Sequence, residues 1–260
     1  MELASKAEEG RTVVDVTLLG GFSIQTEKAR LTDEINRSVK LWSVLAYLLL
    51  HRDRPVPQAE LIELFWPEDD SANPVNALKT LLYRIRAMLE PLFEKGVQPV
   101  LAQRGAYIWN PELHCRLDVD EFARLCARAD SAALPEEERI ALYRQAAALY
   151  RGDLLSKLSH QLWLVPLAAR YHALYISMVK TFAGLLEEAQ LYGEMHDVCV
   201  RASGLDDLDE GLHTLIVRSL IRQGRDAAAL EHYEKATDLL YQNLGVRPSE
   251  ELRALYTEIM

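Results

Sequence analysis

Asn73 to Pro91, NPVNALKTLLYRIRAMLEP, is the stretch whose reading decides the fold. Leu78, Leu81, Leu82, Ile85 and Leu89 recur at three- and four-residue steps, which at about 100° per residue places them on one stripe of an α-helix. That stripe predicts a core-facing side. The opposite side carries Asn76, Thr80 and Tyr83, flanked by Lys79, Arg84 and Arg86, with no acid before Glu90. Amide, hydroxyl, phenol and cation are the groups that bond base edges and phosphates. Asn73 suits the N-cap, and Pro74 suits the first helical position, where no backbone N–H is needed. On this stretch alone, a plain amphipathic surface helix is the more natural reading; its neighbours in the chain change the weighing.

Before it, VVDVTLLGGFSIQTEKARL has short apolar and β-branched runs broken by Gly20 and Gly21, a pattern for two or three antiparallel strands. A helix follows from about Asn36 to His51, with Val39, Trp42, Leu45, Ala46 and Leu49 at helical spacing. Arg52 to Pro57 reads as a turn, because its two prolines cannot continue a helix. Gln58 to Trp66 forms a second, short helix ended by Pro67, and the acidic loop Glu68, Asp69, Asp70, Ser71 precedes the stretch quoted above. After it, Val97 to Ala102 and Ala106 to Trp109 are strand-like runs joined through Gln103, Arg104 and Gly105, and the glycine supplies the positive φ of a tight hairpin. Sheet, three helices and hairpin in this order make the winged-helix form of the helix-turn-helix plan, whose third helix enters the major groove. Arg104 then stands at the hairpin tip, where a phosphate contact is wanted.

From Leu117 the pattern becomes almost wholly helical. Helices are expected over Asp120–Ala129, Pro135–Arg151, a run from Pro166 to Leu191 closed by Gly193, then Glu194–Ala202, Asp209–Arg222, Asp226–Gln242 and Glu250–Ile259. Ala229, Tyr233 and Ala236 show the small–aromatic–small spacing of a tetratricopeptide second helix, with Met195, Cys199 and Ala202 standing 34 residues earlier. A TPR-like array of this kind offers a concave surface to proteins or peptides and implies no chemistry. The fold class expected is therefore mainly α with small β-sheets: a winged helix over residues 11–115 and a TPR-like helical domain over 116–260, after a charged tail of ten residues.

Charge is divided unevenly between these parts. Residues 11–115 hold 12 Lys and Arg against 13 Asp and Glu, and residues 116–260 hold 16 against 23, within a formal net charge of −10. A grip on nucleic acid by the whole surface is excluded, so any such contact must come from a local patch. Three widely spaced cysteines, Cys115, Cys126 and Cys199, fit reduced thiols better than a disulfide framework. The first ten residues lack the apolar run of a signal peptide, and the longest apolar segment, Leu41 to Leu50, is too short to span a bilayer. A cytoplasmic protein with no membrane contact is expected.

Nothing points to catalysis. The pairs Asp69/Asp70 and Asp206/Asp207 are sequence neighbours, whose side chains diverge rather than share one proton. His160, His172, His196, His213 and His232 lack metal-ligand spacing, and no GxSxG, GxGxxG or P-loop motif occurs. No cofactor and no metal site is expected. Trp42, Phe65, Trp66 and Trp109 read as core aromatics.

The run RPVPQAELIELFWPEDDSANPVNALKTLLYRIRAMLEP, followed by RGAYIW, VDEFARLCARA, ALYRGDLL and the closing NLGVRPSEELRALYTEIM, resembles the SARP-type bacterial transcriptional activators. In that family an OmpR-like winged helix is joined to a bacterial transcriptional activator domain, and the resemblance spans about Arg11 to Met260. It implies binding of direct-repeat operator DNA by two protomers and contact with RNA polymerase. By position it makes the helix from Asn73 the recognition helix, the hairpin at Arg104 the wing, and Glu68, Asp69 and Asp70 the polymerase-contact loop. Fewer arginines stand on this recognition helix than is usual in the family. A protein or small-molecule regulator at the helical domain belongs to the same expectation, and the rival is a TPR-type interaction adaptor whose winged helix no longer binds DNA.

Overall fold

The computed structural model describes residues 12–67 and 73–260. Its contacts divide into two compact units, one formed by residues up to 120 together with 154–168, the other by 121–153 and 169–260.

In the first unit, β1 (Val13–Thr17), β2 (Ser23–Gln25) and β3 (Arg30–Thr32) make the antiparallel set expected. Along β1 burial alternates, Val14 and Val16 pointing into the core and Asp15 outward, as the period of two requires. Helix α1 (Val39–Leu50) starts three residues later than its apolar pattern suggested. Asn36 Oδ1 accepts from Ser38 N, and Ser38 in turn caps Leu41 N, so both residues serve the turn rather than the helix. Nearly all of α1 is buried, which makes it the central element of this core. After β4 (Val56–Pro57) come α2 (Gln58–Phe65) and α3 (Pro74–Leu89), and α3 packs on both α1 and α2. Trp42, Phe65, Trp66 and Trp109 are all buried, as their spacing indicated.

The hairpin is built from β5 (Val100–Gln103) and β6 (Ala106–Trp109), with Gln103 opposite Ala106 and only Arg104 and Gly105 between them. Both turn residues have positive φ, 42° and 81°, the signature of the two-residue turn whose twist matches the strands. Two features of the sheets were not legible in the sequence. The segment read as a turn supplies β4, which pairs with β6 as an edge strand, where a proline is tolerated. Further on, β7 (His114–Leu117) adds to β1 in parallel, giving the sheet order β3-β2-β1-β7. Arg116 on β7 grips Asp15 on β1 through Nε and a terminal nitrogen at 2.7 and 2.9 Å. Residues 154–168 also join this unit: Leu155 N donates to Leu18 O at 2.8 Å, and Trp163 meets Tyr47 and Phe65 edge-on.

Helix α4 (Asp118–Ala129) begins at Asp118, whose carboxylate accepts from Leu18 N and Leu19 N, and its residues from Glu121 onward belong to the second unit. There follow α5 (Glu136–Leu149), α6 (Val165–Glu188), α7 (Tyr192–Ser203), α8 (Glu210–Arg222), α9 (Asp226–Leu244) and α10 (Glu250–Ile259). Gly193 does not close α6. That helix ends at Glu188, Gln190 takes the left-handed conformation at φ 58°, and Leu191 N reaches back to Leu186 O at 2.8 Å, so Gly193 lies inside α7. A non-glycine residue performs the stop, which is why glycine position misled the reading. Helix α8 packs between α7 and α9, and α10 rests on α8 and α9. Met195, Cys199 and Ala202 on α7 and Ala229 and Ala236 on α9 are fully buried, so the small residues sit where helices approach closely. Tyr233 instead lies against Tyr256 of α10, with ring centroids 4.9 Å apart.

Candidate nucleic-acid interface

Helix α3 separates cleanly into two sides. Leu78, Leu81, Leu82, Ile85 and Leu89 are buried, and Asn76, Lys79, Thr80, Tyr83, Arg84 and Ala87 are exposed on the opposite arc. Sixteen residues give it a length of roughly 24 Å at 1.5 Å per residue, enough to lie along a duplex groove. Asn73 Oδ1 accepts from Asn76 N at 3.0 Å, and Pro74 occupies the first turn, so the start is fixed as the sequence indicated.

The side chains on the exposed arc are unequally committed. Thr80 Oγ1 donates to Asn76 O at 2.9 Å, which leaves its lone pairs as acceptors outward. Among the described residues, the Asn76 amide and the Tyr83 hydroxyl have no hydrogen-bond partner, and Tyr83 is 71% exposed. An exposed phenol amid amide and cations is poorly explained by packing, because burial is what tyrosine contributes to a core. Neither Lys79 nor Arg84 is ion-paired among the described residues. Arg86 differs: it is half-buried, and its Nε donates to Val100 O at 3.0 Å, bracing α3 against β5. At the hairpin tip Arg104 is exposed and held in the left-handed region by the two-residue turn. Glu68, Asp69 and Asp70 lie outside the described residues.

Elsewhere in this unit, several cations are engaged with carboxylates. Arg54 holds Glu60 through two bonds of 2.6 and 3.1 Å, and Tyr47 donates to the same carboxylate at 2.6 Å. Burial and the Glu60 hydrogen bond push the Tyr47 hydroxyl up to about 12, and the Arg54 hydrogen bond holds the Glu60 carboxyl below its ordinary range. This network fixes α2 to α1, the scaffold on which α3 is placed. Sequence reasoning missed it, since Tyr47 sits in an apolar run and its hydroxyl has no sequence signature.

The remaining reactive groups are structural. Burial pushes the thiols of Cys115, Cys126 and Cys199 up to about 12, and all three are free. Asp206 faces His172 at 3.5 Å, while Asp207 gives its backbone carbonyl to His213 Nε2 at 2.8 Å. Among the described residues, no cluster of His, Cys, Asp and Glu has the arrangement of a metal site, and no helix is long and apolar enough to cross a membrane.

Residues 117–260 match the family model of the bacterial transcriptional activator domain, and residues 32–105 match that of the transcriptional regulatory protein, C terminal. The regulatory protein AfsR of Streptomyces griseus is 26% identical over 220 residues, covering 84% of this chain and 22% of AfsR. The chain thus spans about a fifth of that relative's length. The transcriptional regulator RedD of Streptomyces coelicolor is 25% identical over 255 residues, covering 95% of this chain and 70% of RedD. By their names these relatives are regulators rather than enzymes. Among solved structures, Mycobacterium tuberculosis EmbR in complex with a low affinity phosphopeptide shares the fold, with a TM-score of 0.71 at 22% identity over 95% of this chain and 64% of that one. With the activator-domain model spanning more than half of its length behind an OmpR-like winged helix, the chain belongs to the bacterial transcriptional activator domain family, in the two-part arrangement of the SARP-type regulators.

Proposed function

We propose that this chain is a sequence-specific DNA-binding transcriptional activator in which residues 11–115 act as the DNA-binding domain and residues 116–260 as the helical activator domain. The observation that carries this reading is the bare arc of α3: Asn76, Lys79, Thr80, Tyr83 and Arg84 exposed, with no acid among them. Asn76 and Tyr83 read base edges, Lys79 and Arg84 meet phosphates, and Arg104 touches the flanking backbone. Arg86 steadies the helix through Val100. Two protomers occupy a direct repeat, and the segment Glu68, Asp69, Asp70 contacts RNA polymerase, as the resemblance to SARP-type activators implies. The second domain supplies contacts between protomers and to a protein or small-molecule regulator.

Selection of bound fragments from a random duplex pool, repeated across protein concentrations, tests this reading. A repeated half-site at fixed spacing, enriched more strongly as concentration rises, is the expected result. Recovery of no preferred sequence at any concentration contradicts it and favours the adaptor reading.

A further inference from the structure

Within the first unit, a cavity of about 370 Å³ opens between the β2–β3 region, the start of α1 and residues 155–158. Its size falls at the lower end of the range for small-molecule sites. Phe22, Val39, Trp42, Leu155 and Leu158 give it an apolar wall, with Phe22 and Trp42 meeting edge to face at 4.8 Å.

The frame is pinned before any ligand arrives. Asp33 N donates to Phe22 O, Trp42 Nε1 donates to Asn36 O at 2.8 Å, and Leu155 is tied to Leu18 O while held at φ 48°, a conformation a leucine rarely adopts. Strain of this kind persists where the surroundings impose it, and here it lies in the cavity wall. A preformed apolar space spares a ligand much of the ordering cost of binding.

Charge at the mouth is asymmetric in a way that selects a ligand. Asp33 has a side chain only 14% exposed, and its partner at 2.8 Å is Lys157, whose side chain is 60% exposed on a flexible stem. Glu34 also lines the mouth, as does Arg37. The lysine can swing into water at little cost, whereas the carboxylate stays beside the apolar wall and keeps its need for a cation. A ligand ammonium replaces Lys157 on the less exposed Asp33, whereas a ligand carboxylate has only the exposed cations Lys157 and Arg37 to meet, with Asp33 and Glu34 beside them.

We infer that this cavity binds a small organic amine, an aromatic or alicyclic body bearing one ammonium group, with the body against Phe22 and Trp42 and the ammonium on Asp33. This site is separate from the α3 arc, and its test does not depend on DNA binding.

Isothermal titration with tryptamine, indole-3-propanol and indole-3-propionate probes it on the intact chain. Tryptamine should bind, with the alcohol and the acid each about tenfold weaker or more, the difference expected for one charge-assisted bond. Asp33→Asn should remove the preference for the amine. Lys157→Ala, which removes the competing ammonium, should tighten tryptamine binding several-fold, an outcome that loss of a merely structural ion pair would not give. Gly21 lines the cavity, and a Cβ there meets nothing within 4 Å, so Gly21→Leu should fill the space and weaken all three ligands. Circular dichroism checks that each variant is folded, and Asp33→Asn stands as the second variant should Gly21→Leu not fold. The inference is overturned by no heat of binding for tryptamine up to its solubility, by equal affinity for the acid, or by tryptamine binding unchanged in the folded variants.

Discussion

Helix α3 and the paired arginines of the second unit present their cations in different ways. In the second unit Arg144 grips Glu194 through two bonds of 2.7 and 2.9 Å, Arg124 grips Glu121 in the same fashion, and Arg218 bridges Glu187 and Glu251. Arg222 and Lys180 find Glu258 and Asp209 on other stretches of the chain. On α3, Lys79 and Arg84 have no carboxylate partner among the described residues and stand beside an exposed tyrosine and an amide. Pairing makes a surface electrically quiet in an acidic region; leaving cations bare on one arc of a near-neutral domain creates a local positive field that a polyanion can fill. A protein of net charge −10 can thus hold a DNA-facing patch without carrying a basic domain.

The contrast within α3 itself yields the largest expected effect. Ile85→Ala, on the buried stripe, should lower the unfolding free energy by about 2–5 kcal/mol in a denaturant titration, through lost burial and the cavity left behind. Tyr83→Ala, two residues away on the exposed arc, should leave stability within about 0.5 kcal/mol. Its effect belongs to DNA, where the difference between cognate and random duplexes should shrink by about 1–3 kcal/mol, as for Asn76→Ala. A large stability loss for Tyr83→Ala would mean that this side packs against protein and would dissolve the comparison.

The second unit also packs two histidines, His213 and His232, against each other. Burial, helped by the neighbouring His213, His196 and Lys235 side chains, pushes His232 down to about 4. His213 Nε2 donates to Asp207 O at 2.8 Å, so its Nδ1 accepts from His232 Nε2 at 3.1 Å. Because the folded-state value lies below the ordinary 6.5, the contribution of neutral His232 is complete above about pH 6.5 and is lost as the pH falls toward 4. Allowing for partial solvation of the ring, the loss over that window should be no more than about 2 kcal/mol. Urea titrations at stepped pH should reveal it, and His232→Gln should flatten that part of the profile. The smallest effect is expected for Arg144→Ala, under about 1 kcal/mol in stability and none on DNA affinity, since the pair is largely exposed.

Much of the fold was legible because its signals are periodic or covalent. The stripe from Leu78 to Leu89, the Asn73–Pro74 cap and the glycine of the hairpin are local, and each appears where the spacing placed it. What escaped depends on distant partners. β7 is four residues whose strand character comes from pairing with β1 about a hundred positions earlier, and β4 is two residues around a proline. Leu154 to Ala168 carries no periodicity that points to the first unit; its place follows from Trp163 meeting Tyr47 and Phe65. The exposed arc of α3 was readable as polar, but its lack of partners was not, because sequence cannot say whether Arg84 meets a carboxylate or that Arg86 turns to Val100.

Affinity for the selected duplex, measured against salt concentration for the parent chain and for Lys79→Ala, Arg84→Ala and Arg144→Ala, tests the central claim most directly. Bare cations that meet phosphates release counterions, so Lys79→Ala and Arg84→Ala should each flatten the dependence of log K on log salt by about 1, while Arg144→Ala leaves the slope of the parent. Parallel lines for all four proteins would contradict the account.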